Sequence, residues 1–272
     1  MPKATLKDGA LLASALGFVV FATAPLAWMT LGAFKTTAQL ISIPPVWPDL
    51  TYLDNFVEVL RDDGRFLLNS LIVTVSATAL AMLFSIPTAF GLVNFKMRGA
   101  NALADWILST RMMPPIAAAV PLFVIFRTLG LLDNVLSLII AFAGFNIPFA
   151  VWVSMSFLRR VPKEVLEAGR MDGCSWFDLL LRIALPLSMS GLVTVATFVF
   201  IFSWNEFLLA LFLTTRDART FPVVVSSFVG TGKVYWNLIA AASVIQILPP
   251  VAFTLFMQRH IVAGLTMGAV KD

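Results

Sequence analysis

The chain has 272 residues, 59% of them hydrophobic and 12% charged, with a formal net charge of +4 and a mean hydropathy of +0.91. One soluble core cannot hide so much apolar side chain, so lipid is the solvent this composition calls for. A lone Cys174 excludes an intrachain disulfide, and a lone His260 without acidic or cysteine neighbours offers no metal site.

Six apolar runs long enough to cross a bilayer follow one another at roughly 9–33, 68–93, 104–126, 134–157, 188–213 and 235–258. Alternating-polarity segments of the barrel type are missing. The predicted fold class is therefore an all-α integral membrane protein with six transmembrane helices in one domain over 1–272. The first run follows Lys3 and Lys7 and ends in Ala22-Thr23-Ala24 as a signal peptide would, but it is expected to remain as a span. With Lys3 and Lys7 inside, the inner segments also hold Lys96, Arg98, Arg159, Arg160, Lys163, Arg170, Arg182, Arg259 and Lys271. That is eleven inner bases against seven outer ones, so both termini are expected in the cytoplasm. The +4 charge suits anionic lipid head groups, and no basic and aromatic interleaving asks for a nucleic acid. Prolines 114, 115, 121, 148, 249 and 250 interrupt spans and mark bends or carbonyls freed toward a cavity.

Between the fourth and fifth runs, residues 159–188 hold nine of the 34 charged side chains. Pro162 can open a short helix over Lys163 to Asp172, and Gly173 can end it in the left-handed conformation. Ser175 with Asp178 three residues on forms a capping box for a second helix, Trp176 to Ala184, which Pro186 is expected to close before the fifth span. Val165, Leu166, Met171, Trp176, Phe177, Leu179, Leu180 and Ile183 make this pair more apolar than a solvated loop requires, which points to a partner groove as well as to packing under the bundle.

The spacing Glu167-Ala168-Gly169, three residues, Gly173, nine residues, then Ile183-x-Leu185-Pro186 resembles the EAA signature of ATP-binding-cassette (ABC) importer permeases, with Gly169 in place of its second alanine. Asn69-Ser70 at the opening of the second span, the run Ser203-Trp204-Asn205-Glu206-Phe207 and the tail QRHIVAGLTMGAVKD resemble the carbohydrate-uptake branch of that family. The resemblance implies a bacterial inner-membrane permease paired with a second homologous permease subunit, two cytoplasmic ATPase subunits that hold ATP and Mg, and an external solute-binding protein. It implies that residues 159–188 are a cytoplasmic coupling loop in which Glu167, Ala168, Gly169, Asp172, Gly173, Ile183, Leu185 and Pro186 meet an ATPase cleft. Glu167 would face polar or basic groups there, Gly173 would let two backbones approach, and Gly169 would leave a little room. The tail from about Gly268 to Asp272 would reach between the ATPases.

The residues themselves give no enzyme: there is no nucleophile–base pair, no His-Glu helix motif and no Gly-x-Ser-x-Gly. GTGKV at 230–234 imitates a phosphate loop but has Ser227 and Val234 where a glycine and a Ser/Thr are needed, so no cofactor site is expected in this chain. In the fifth span, helical spacing puts Phe198, Phe202, Asn205 and Leu209 on one stripe beside Trp204 and Glu206, aromatic faces with polar tips that suit a hydroxyl-rich solute. Phe145 and Asn146 in the fourth span are a second solute-path pair, and in both places interhelical pinning is the alternative. A self-contained secondary transporter or channel, and a purely structural membrane subunit, remain open beside the importer. Against a proton relay, Arg111 and Glu206 fall toward opposite ends of their spans.

Overall fold

The structure is a computed structural model that describes residues 6–95, 97–230 and 233–266. Lys96 and the tail from 267, with its expected reach between ATPases, lie outside the described residues. The chain runs through α1 (Leu6–Ala33), α2 (Thr37–Leu40), α3 (Asp54–Asn94), α4 (Ala100–Thr110), α5 (Pro115–Thr128), α6 (Val135–Leu158) and α7 (Lys163–Met171). It continues through α8 (Trp176–Asp178), a π-helical turn (Leu179–Ala184), α9 (Leu185–Trp204), α10 (Leu208–Leu213), α11 (Phe221–Ser227) and α12 (Trp236–Thr266). Two short strands, β1 (Val229–Gly230) and β2 (Lys233–Val234), pair antiparallel with Val229 opposite Val234. Among the described residues five helices are long and apolar enough to cross a membrane, and α4 with α5, bent by 84° at their junction, make a sixth if the pair is one broken span. The all-α membrane fold is as the composition requires.

Four expectations are corrected in detail. The third span, expected unbroken over 104–126, breaks at residues 111–114, because Pro114 and Pro115 cannot donate to the preceding turn. The fifth, expected over 188–213, breaks at residues 205–207 between α9 and α10. Pro186 does not close the second coupling helix. The chain stays helical from Trp176 to Trp204, and the wider turn over Leu179–Ala184 makes room just ahead of the proline ring. The second span starts at Asp54, so Asn69 and Ser70 lie inside α3 and not at its opening.

Packing divides the chain into two units, Met1–Arg65 with Val224–Leu248, and Phe66–Val223 with Pro249–Asp272. In the first, buried Asn55 ties three segments together: its amide donates to the carbonyls of Ala33 (2.7 Å) and Lys35 (2.9 Å), and its oxygen accepts from Asn237 (2.7 Å). The second holds the main core, where Val73, Ala77, Ala81, Ala119, Leu138, Ala143, Ala150 and Val195 are buried. Small side chains dominate because helices in lipid gain by close approach more than by hiding apolar surface.

Outside the spans of this second unit, Asp133 sits with φ +53° in the turn between α5 and α6. Its carboxylate accepts from the backbone N–H groups of Thr215, Arg216, Asp217 and Ala218 at 3.0–3.1 Å, and from the Thr215 hydroxyl at 3.0 Å. The same loop is held from α3, where Asn69 donates to the carbonyls of Asp217 and Arg219 and the Ser70 hydroxyl accepts from the Phe221 N–H. Partial burial works against the Asp133 charge, but the four backbone donors outweigh it and hold the carboxyl well below the usual carboxylate range. Asp133→Asn is expected to lower the stability of the detergent-purified protein by about 1–2 kcal/mol, a modest figure because the group is largely solvated. A depressed folded pKa makes this contribution complete above the unfolded value near ~4 and lost as pH falls through the folded value. The gap between wild type and Asp133→Asn in thermal midpoint should therefore stay constant from pH 8 to pH 5; a gap that closes across that window would contradict the assignment.

Candidate functional site

Both breaks open on one cavity. About 220 Å³ in volume, it is lined by Arg111, Met113, Pro115, Phe142, Phe145, Asn146, Phe202, Glu206 and Leu209. Arg111 directly follows α4, the first half of the third span, and its guanidinium reaches across to α6. There one terminal nitrogen donates to the Asn146 Oδ1 (2.9 Å) and to the Phe145 carbonyl, and the guanidinium carbon lies 5.1 Å from the Phe202 ring centre. Asn146 is 4% exposed, and its amide nitrogen donates back to the Phe142 carbonyl (2.9 Å) and across to the Ser203 hydroxyl (3.0 Å). All of its capacity is directional, so it fixes α4, α6 and α9 to each other at mid-span.

Glu206 stands in the second break, where one carboxylate oxygen accepts from the Leu209 N–H (3.0 Å) and so caps the start of α10. The residue also lines the cavity. Of the residues singled out from sequence, Phe145, Asn146, Phe202 and Glu206 are thus brought together. Trp204 is not with them: it is 1% exposed and stacked on Phe200 in the core. Asn205 is exposed, outside the lining, and donates to the Ile201 carbonyl (2.8 Å) to finish α9. The stripe through Phe198, Phe202, Asn205 and Leu209 stops at Phe202, because a broken helix carries no continuous face. Sequence reasoning also separated Arg111 from Glu206, whereas they line one cavity. The signal that could have joined them is the Met112-Met113-Pro114-Pro115 run, which ends a helix just after Arg111.

At the other end of this unit, α7 closes with Gly173 at φ +85°, the Cys174 N–H bonded to the Gly169 carbonyl (3.0 Å) and the Gly173 N–H to the Arg170 carbonyl (3.0 Å). The capping box over Ser175 and Asp178 forms in both directions. Pro162 is the residue before the helix and not its first. Leu166, Leu179 and Leu180 are buried, while Val165, Met171, Phe177, Glu167, Ala168 and Asp172 are exposed. A groove of about 610 Å³ runs between α7 and the end of α3, lined among others by Phe95, Lys163, Glu167, Arg170 and Trp176. Arg170 lies over the Trp176 ring at 4.3 Å. Gly169 leaves no room for a partner: a methyl there would meet the Leu179 and Ile183 side-chain ends of this same chain at 2.8 and 2.9 Å.

Residues 81–267 match the family described as the inner membrane component of binding-protein-dependent transport systems. The chain belongs to this family. It is 34% identical over 258 residues to the trehalose transport system permease protein SugB of Mycobacterium tuberculosis, covering 93% of this chain and 94% of that one. It is 32% identical over 277 residues to the trehalose/maltose transport system permease protein MalG of Thermococcus litoralis, covering 100% and 99%. Among solved structures, a chain of a bacterial ABC transporter that imports the acidic polysaccharide alginate superposes with a TM-score of 0.78 at 22% identity, over 96% of this chain and 100% of that one. In this family member, the atoms at Gly169 are mobile methyl ends, so Gly169→Ala should change stability by less than about 1 kcal/mol, helix propensity offsetting the crowding. Gly191 of α9 is the contrast, since a methyl there would lie 2.1 Å from the Phe157 ring. Gly191→Ala should cost roughly 1–3 kcal/mol, and equal thermal midpoints for the two variants would show that these contacts are misread.

Proposed function

We propose that this chain is one permease half of an ATP-driven importer for a sugar or related hydroxyl-rich solute, and that the cavity at the two helix breaks touches the solute. The observation that carries this reading is the convergence of Arg111, Asn146 and Glu206 with the rings of Phe145 and Phe202 in one mid-span cavity. Rings accept the apolar faces of a sugar, and held amide and charged groups accept its hydroxyls. The names of the two permease relatives, both for disaccharide uptake, support the solute class. The partners in this reading are a second homologous permease, an external solute-binding protein and two cytoplasmic ATPases that hold ATP and Mg, this chain having no ATPase site of its own. Both termini and residues 159–188 are cytoplasmic.

Coupling runs through α7, with exposed Glu167 on the groove. ATP-driven closure of the ATPase pair would shift the docked helices and bias the spans between inward-open and outward-open arrangements. Glu167 is exposed, so Glu167→Ala should move stability by less than about 0.5 kcal/mol. In reconstituted transporter it should nevertheless cut solute-stimulated ATP hydrolysis severalfold. Unchanged stimulation would remove Glu167 from the coupling surface.

For the solute path, Glu206→Gln is the cleaner substitution, because an amide oxygen can still accept from the Leu209 N–H while the charge is lost. It should lower uptake at least severalfold and leave complex assembly and basal ATP hydrolysis in place. Loss of the partner permease on purification would make Glu206 an interface residue instead. Uptake by this chain reconstituted alone would select the secondary-transporter reading.

A further inference from the structure

Below the mid-span cavity, α4 and α6 lie side by side, and their shared outer face has an unusual composition for lipid. On α6, Phe145, Phe149, Trp152 and Ser156 recur at helical spacing, with Trp152 44% exposed and Ser156 exposed. Phe149 meets Phe202 at 5.2 Å and Phe198 at 6.2 Å, and Phe198 and Phe202 are 45% and 37% exposed. On α4, Asn101 and Asp105 are both exposed one turn apart. Arg159 donates to the Asn101 Oδ1 (2.8 Å) at the end of this face. Together Asn101, Asp105, Trp152, Ser156 and Arg159 line a second pocket of about 320 Å³.

Charge decides what this face meets. Asp105 is ~6 Å along α4 from Asn101, at the helical rise per residue, and shares its pocket with Arg159, just past the end of α6. A carboxylate and a guanidinium on one exposed face are costly against hydrocarbon. The α4 face carrying it therefore meets water. An aromatic ladder leading from a polar cavity down to a polar pocket is the form a hydroxyl-rich solute can follow, stacking on successive rings while its hydroxyls stay hydrated or bonded.

We propose that this face is the inner leg of the solute path, and that the pocket of Asn101, Asp105, Trp152, Ser156 and Arg159 is a second, inner subsite for a sugar-like solute, with Trp152 as its stacking platform. The proposal rests on the solute-path reading given above for the mid-span cavity. Its test needs no knowledge of the natural solute. Asp105→Cys, Ser156→Cys and, as a control on another exposed part of α4, Leu103→Cys are placed in the assembled transporter in inside-out vesicles. Each is treated with a small anionic methanethiosulfonate and, separately, with one bearing glucose, and the modified site is read by mass spectrometry so that Cys174 does not interfere.

Because the thiolate is the reacting form and needs water, both reagents should modify positions 105 and 156 at least about tenfold faster than 103. Adding Trp152→Ala to Ser156→Cys should slow the glucose-bearing reagent severalfold and leave the small anionic one unchanged. Equal rates at all three positions would place this face against lipid or another subunit and overturn the inner leg. An unaltered glucose-reagent rate in the Trp152→Ala background would overturn the subsite. Neither readout passes through Glu206 or Asn146, so failure of the inner leg is told apart from failure of the mid-span assignment, which Glu206→Gln tests.

Discussion

Backbone released from a helix inside hydrocarbon finds no water to bond, and this constraint decides where the two broken spans can lie. A break is tolerated only where side chains or a wet cavity take over the freed groups. Here the breaks at residues 111–114 and 205–207 meet at the same cavity, and each carries its own supply of partners. Arg111, at the first break, reaches across to the Phe145 carbonyl and to Asn146. Glu206, at the second, takes up the Leu209 N–H of the resumed helix. Without Asn146 to hold the guanidinium, a cation would be left half-buried with its directional partner gone, and the whole mid-span arrangement would lose its fixed point.

The rest of this unit is arranged about that point. Outside it, Asp133 gathers four consecutive backbone donors of the loop after α10, and Asn69 and Ser70 fasten the same loop from α3. Away from that loop, one continuous helix runs 29 residues from Trp176 to Trp204. Ser203, in its last turn, is the residue to which Asn146 donates. One helix of ~43 Å thus connects the capping box to the hydrogen-bond network beside the cavity. The π-helical turn over Leu179–Ala184 is the one place where that helix departs from regular geometry, and the buried Leu179, Leu180 and Ala184 hold it there.

Much of this was legible in the sequence, for local reasons. The Ser175–Asp178 box and the left-handed Gly173 each follow from a few adjacent residues and are found where they were expected, as are four of the six apolar runs. The first break was half legible: Met112-Met113-Pro114-Pro115 announces an end of helix, but the weight of apolar residues on both sides argued for an unbroken span. The second was not legible at all. Trp204-Asn205-Glu206-Phe207 contains neither proline nor glycine, so no residue type announces the helix end, which is marked instead by Asn205 turned back on Ile201 and Glu206 turned forward on Leu209. That is why periodicity set Trp204 and Asn205 in the path while the fold buries one and turns the other away. Asp133 escaped notice because its partners lie more than 80 residues on and are backbone groups, which no side-chain pattern records.

The charges of the cavity carry a consequence for what it can hold. Arg111 and Glu206 line the same 220 Å³, yet each has a donor or acceptor of the protein's own backbone or amide at hydrogen-bond distance. They are oriented in place before any solute arrives. A solute carrying net charge would meet attraction from one of them and repulsion from the other within one small cavity shielded from bulk water, where such terms are large. A neutral polyhydroxylated solute meets no such conflict, since each hydroxyl can turn its hydrogen toward the carboxylate or its lone pairs toward the guanidinium. Held charges of opposite sign, with Phe145 and Phe202 in the same lining, therefore favour many weak, reorientable contacts over one strong one. If the cavity holds the solute as proposed, that balance lets it release as readily as it receives.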